Sequence, residues 1–142
     1  MATKEIKATV EIDLAELTTT GGVTVGTTDT VFTKSQPLPR DASFSVELRF
    51  SSGGVVDVLV DVEQGNVRPT TEESADTTNY AIPENTSGSS VGRVANIVNE
   101  VNHIINFSPV VSGFIRLKLT GQGSNAADTK LVSGKIVYVK GQ

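Results

Sequence analysis

Phe107-Ser-Pro-Val-Val-Ser-Gly-Phe-Ile-Arg-Leu-Lys-Leu-Thr-Gly121 is the stretch that decides the fold class. A corner at Ser108-Pro109 leads into strict alternation, with Ile115, Leu117 and Leu119 on one side and Arg116, Lys118 and Thr120 on the other. Successive side chains of a strand point to opposite faces, so a period of two marks a strand with one face in a core and one in water. Gly121-Gln122-Gly123 then ends the run as a turn. The stretch predicts a sheet and specifies no reaction.

The same period recurs outward along the chain. Ile6, Ala8, Val10, Ile12 and Leu14 share a face against Lys7, Thr9, Glu11 and Asp13. Val23 to Gly26 and Thr30 to Lys34 are short Thr/Val runs suited to edge strands, and Pro37 and Pro39 mark a connection. Phe44, Val46, Leu48 and Phe50 alternate with Ser45, Glu47 and Arg49; after Ser51-Ser52-Gly53-Gly54, Val56, Val58, Val60 and Val62 alternate with Asp57, Leu59 and Asp61. Two alternating runs around a glycine turn predict an antiparallel hairpin at the heart of the sheet. In the last run, Lys130 to Lys140, Ile136 and Tyr138 alternate with Val137 and Val139, so both faces are apolar. That suits a central strand or a subunit interface, with Val137 and Val139 as the interface candidates.

Two segments break the pattern. Residues 64–90 form a long polar loop in which only Tyr80-Ala81-Ile82 is apolar; loops of that length inside a domain are functional or disordered. In 91–107, Val91, Val94, Ile97, Val98, Val101, Ile104 and Ile105 recur at helical spacing. The valine, isoleucine and asparagine content disfavours a helix. One short helix therefore competes with two strands, 93–98 and 101–107, turning at Asn99-Glu100, and the strands are preferred. The expectation is one all-β domain over residues 1–142, an antiparallel sandwich or jelly roll.

Composition narrows the function classes. The chain has 142 residues, a net charge of −4 and no cysteine, which excludes disulfide staples, zinc ribbons and thiol catalysis. The arginines Arg40, Arg49, Arg68, Arg93 and Arg116 are scattered, so no basic patch for nucleic acid is expected. No run of about 18 apolar residues suggests a membrane helix, and the first residues lack the apolar core of a signal peptide, so synthesis in the cytoplasm is expected.

The reactive groups are sparse. His103 is the sole histidine and lies among asparagines, without a G-x-S-x-G elbow anywhere in the chain. Asp57, Asp61 and Glu63 fall on the outward side of one run, with neighbours about 7 Å apart. They could bind Ca²⁺ with loop oxygens or act as a glycosidase pair, but a solvated charged face that blunts aggregation is the preferred reading. Arg116 and Lys118 are read as wet-face groups pairing with carboxylates of a neighbouring strand. Gly121-Gln122-Gly123 lacks the helix that a phosphate loop needs. No enzymatic activity, cofactor or metal is expected.

Ala42-Ser-Phe-Ser-Val-Glu-Leu-Arg-Phe50 with Val55-Val-Asp-Val-Leu-Val-Asp-Val-Glu63, the run Phe107 to Gly121, and Asn125-Ala-Ala-Asp-Thr129 resemble small β-sandwich virion proteins of tailed bacteriophages. The resemblance covers about half the chain and is one of style. It implies a head cement or decoration protein, a homotrimer in the virion that bridges capsomers of the major capsid protein, with no small-molecule substrate. Ala2, Thr3, Lys4, Arg68, Glu72 and Tyr80 are the expected partner contacts. A tail tube or connector subunit, and a carbohydrate-binding receptor reader, are the alternatives.

Overall fold

A computed structural model describes residues 9–13, 23–33, 35–37, 43–65, 80–84, 86–87, 93–94, 97–107 and 113–139. It is a sandwich of two antiparallel sheets. The first contains β1 (Thr9–Asp13), β2 (Val23–Thr24), β5 (Phe44–Ser51), β9 (His103–Phe107) and β11 (Lys130–Val139). The second contains β3 (Thr30–Phe32), β4 (Gln36–Pro37), β6 (Val58–Gly65), β7 (Tyr80–Ala81), β8 (Arg93–Val94) and β10 (Phe114–Gly121). The strand order is β1-β11-β5-β9 in one sheet and β3-β10-β6-β7 in the other. Short β2 continues the edge beside β11, while β4 and β8 pair with β10 and β6.

The core forms where alternation aims apolar side chains from both sheets at each other. Val46, Leu48, Phe50, Leu131 and Ile136 of the first sheet and Val60, Val62, Ile115, Leu117 and Leu119 of the second are essentially inaccessible. They belong to one contiguous cluster, and burying such side chains is the main favourable term in folding, about 1.5–3 kcal/mol for each. Leu131 and Ile136 sit an odd number of residues apart yet both face inward. A bulge between Leu131 and Ser133 inserts the extra residue that reverses the phase, leaving Val132 exposed.

The expected hairpin of 44–50 and 56–62 does not form. β5 pairs with β11 and β9, whereas β6 pairs with β10, β7 and β8. The runs face each other across the core, because alternation fixes which side chains turn inward but not whether two inward faces lie side by side or opposed. Residues 52–57 cross between the layers and are fastened to the β10–β11 connection. Gly53 N–H donates to Asp128 Oδ2, Asp57 N–H to Asn125 Oδ1, and Ala126 N–H to the Val55 carbonyl.

The segment 91–107 divides in the same way. No helix occurs among the described residues. β8 joins the second sheet and β9 the first, with a turn at Asn99-Glu100 between them and Ile97 in the core. Glu100 takes the left-handed conformation, φ 61°. The Asn99 side chain imitates a strand neighbour of Ser52, accepting its N–H and donating to its carbonyl, both at 3.0 Å. Strands are present at 93–94 and 103–107, without the expected continuation through 97–98 and 101–102, and the turn at Asn99-Glu100 lies between them, but the two strands do not pair with each other.

Candidate functional site

The outer face of the second sheet gathers the charged residues that the sequence singled out. Register places Arg116 opposite Glu63, Lys118 between Asp61 and Phe32, and Asp61 opposite Arg93. Arg116 donates its Nε–H to Glu63 Oε1 at 2.9 Å. Its guanidinium carbon lies 4.3 Å from the ring centroids of both Phe32 and Tyr80, so the cation is held between two aromatic faces. Tyr80 reaches this position because β7 pairs with the end of β6, where Tyr80 lies opposite Gly65. Its hydroxyl is hydrogen-bonded to Ser35 Oγ, which closes a roof from the β3–β4 side to the β7 side.

This face is dry where water was expected. Arg116 is 1% exposed, Asp61 2% and Glu63 8%. The reading of a solvated charged face is therefore corrected. Strand alternation assigns a side chain to a face, and short flanking strands from distant parts of the chain covered that face. Among the described residues, no buried side-chain nitrogen or oxygen lacks a hydrogen-bond partner.

Each carboxylate has its own arginine. Asp61 accepts from Arg93 Nε at 2.8 Å, with Nη2 at 3.4 Å from the second oxygen. The hydrogen bond of Arg93 to Asp61, then the charge of Asp61, raises the Arg93 pKa above its ordinary value. Asp57 precedes β6 and is half-buried. Asp61 and Glu63 are thus engaged by separate arginines, and no group of three metal-ligating side chains occurs among the described residues. A glycosidase role for Asp61 would require its carboxylate to leave Arg93.

His103 Nε2 accepts the Val98 N–H at 3.1 Å, so the imidazole ties the 97–103 turn together. Gly121-Gln122-Gly123 is a structural turn, with its three N–H groups bonded to the carbonyls of Asp29, Asp57 and Thr27. Asn125, legible only as a turn residue, is 2% exposed and joins three segments: its Oδ1 accepts from Asp57 N–H, and its Nδ2 donates to the carbonyls of Val25 and Gly26.

Tyr80, expected as a partner contact, is 4% exposed and stacked on Arg116, so its ring belongs to the protein's interior. Ala2, Thr3, Lys4, Arg68 and Glu72 lie outside the described residues. Val137 is half-buried on β11, whose two edges are occupied by β1 and β5; the central position is the one observed. The backbone of Val139 pairs with Thr9. Phe32 and Ser35 were missed, since nothing in a short polar run signals that its aromatic and hydroxyl will cap a distant arginine.

Comparison with known protein families and with curated protein sequences gives no match.

Proposed function

We propose that this chain is a non-enzymatic structural protein of a tailed-phage virion, a capsid cement protein that binds the major capsid protein across the joints between capsomers. The observation that carries the reading is how the described residues flanking the polar sequence 66–79 are held. Gly65 before it and Tyr80 after it are paired neighbours in the second sheet. Tyr80 is clamped on Arg116, and Arg116 on Glu63. A long polar segment with both ends fixed to a stiff sheet suits docking, because binding residues concentrate on loops held by rigid scaffolds. Several copies on one shell would multiply weak contacts into stable attachment.

The chemistry of the site favours this over catalysis. Its buried carboxylates are each engaged by an arginine, Glu63 by Arg116 and Asp61 by Arg93. The described aromatic rings are buried or half-buried, so no fully exposed stacking platform for a glycan occurs among the described residues.

The test is electron microscopy of undecorated capsids mixed with the purified chain. Binding at capsomer joints is expected, together with loss of binding when 66–79 is replaced by a short Gly-Ser linker. Bare shells, or labelling of the tail alone, would refute the reading.

A further inference from the structure

We infer that β9 is a pairing edge and that its occupant is β9 of a second copy of this chain, joined antiparallel about a twofold axis. An open sheet edge is a row of unpaired backbone donors and acceptors, and proteins blunt such rows with charge, proline, bulges or short strands. Three of the four edges formed by the described strands are blunted. β3 and β4 have three and two residues, and β4 contains Pro37; β7 and β8 have two residues each. β1 contains Glu11 and Asp13.

β9 has none of these devices. It has five residues, His103-Ile-Ile-Asn-Phe107, without an acid, lysine, arginine or proline. Among the described residues it pairs with β5 alone. Ile104 stands outward at 61% exposure, and Val98 and Val101, just before the strand, are 53% and 44% exposed.

The occupant follows from self-complementarity. In a twofold antiparallel pair centred on Ile104, Ile104 faces itself, Asn102 faces the second copy's Asn106, and His103 faces its Ile105. Directly opposed side chains in such pairs are in contact, so on the outward face this register sets Ile104 against Ile104 and amide against amide, with no like charges opposed. Asn102 and Asn106 are both exposed and free to meet. The row already running from Lys135 through Glu47 to Ile104 would continue into its symmetry mate, and the contact would be isologous, as in most dimers. A β1–β1 pair would instead oppose acids.

This inference does not rest on the capsid reading, and a twofold contact differs from the threefold assembly that the resemblance implies. The first test is light scattering of the purified chain across a concentration series. A dimer is expected for the native chain and a monomer for Ile104→Lys at the same concentration. The second uses the absence of cysteine: Ile104→Cys treated with a short bis-maleimide should cross-link far more than Thr30→Cys, which is exposed on the opposite sheet. A native monomer, a trimer indifferent to Ile104→Lys, or equal cross-linking of the two cysteine variants would overturn the proposal.

Discussion

Arg116 donates to Glu63 at 2.9 Å from a position where only 1% of its side chain meets solvent. Two ions withdrawn from water incur a desolvation cost that their attraction only partly offsets, so removing one partner is far more damaging than removing both. Arg116→Met should lower stability by about 3–5 kcal/mol by leaving Glu63 buried and unpaired, while Arg116→Met with Glu63→Leu should recover most of that loss. Urea denaturation of the two single variants and the double variant measures the coupling. A double variant as unstable as the sum of the singles would show that the aromatic stacking, and not the ion pair, dominates.

Tyr80 separates its two roles by chemistry. Tyr80→Phe keeps the ring over Arg116 and loses the bond to Ser35, for an expected cost of about 1–2 kcal/mol because the buried serine hydroxyl loses a partner. Tyr80→Leu also removes the cation–π contact and should cost about 2 kcal/mol more. Thermal melts of the pair, with Ser35→Ala as the partner control, read the difference.

Asn125 makes one accepted and two donated hydrogen bonds, at 3.0, 3.0 and 3.1 Å. At about 1 kcal/mol for each bond, Asn125→Ala should cost about 3 kcal/mol. Asn125→Asp should be no better despite its nearly identical shape, because a carboxylate would face the carbonyls of Val25 and Gly26 without donors. Chemical denaturation of both variants checks this, and near-native stability of the aspartate form would count against the bonding scheme.

Gly121 admits no side chain. A Cβ there would lie 2.1 Å from the Gly26 carbonyl oxygen and 2.6 Å from that of Thr27, both backbone atoms of a loop bonded to this turn. Gly121→Ala should destabilise by about 1–3 kcal/mol or more through forced displacement. Gly113→Ala, with open space around the added carbon, is the comparison, and equal melting temperatures for the two would contradict the geometry.

Glu100 gives an acid-side signature. Hydrogen bonding from Ser51 first, then from Arg49, holds its carboxyl below the ordinary carboxylate value. A carboxylate depressed by folding contributes stability that is present above its unfolded pKa and is lost as pH falls through the folded value. The stability gap between the native chain and Glu100→Gln should therefore be widest near neutrality and close in acid. Because both side chains of the pair are well exposed, the gap should also narrow with added salt. A gap that widens on acidification would reverse the sign and refute the assignment.

Much of the fold was legible because alternation is a local property. Phe44 to Phe50 and Ile115 to Leu119 read as strands and are so, although only the first has the half-exposed outer face that was expected. Pairing was less legible. The glycines at 53 and 54 suggested a hairpin, yet they serve a crossing between sheets, since a turn signal does not say how far the chain travels before it pairs. The bulge at Val132 was hidden because one inserted residue leaves composition unchanged. At the candidate site, Arg116, Asp61 and Glu63 were each noticed as outward-facing, but on separate runs whose adjacency was not assigned. Their burial depends on Tyr80 and on Phe32 and Ser35, which approach from distant parts of the chain, and no local pattern encodes that meeting.

The arrangement of β11 constrains the order in which the molecule can assemble. This strand, near the end of the sequence, pairs with β1 and β2 on one side and β5 on the other, and Thr9 meets Val139. Among the described strands, only β6 and β7 are both consecutive in sequence and paired. A ribosome adding roughly 5–20 residues per second would therefore hold the first sheet without its central strand until β11 has emerged. Until then β1 and β5 would expose open edges to whatever else is in solution. Non-local pairing of this kind slows folding, so a chain interrupted before residue 130 should be a substrate for chaperones and proteases rather than a smaller sandwich.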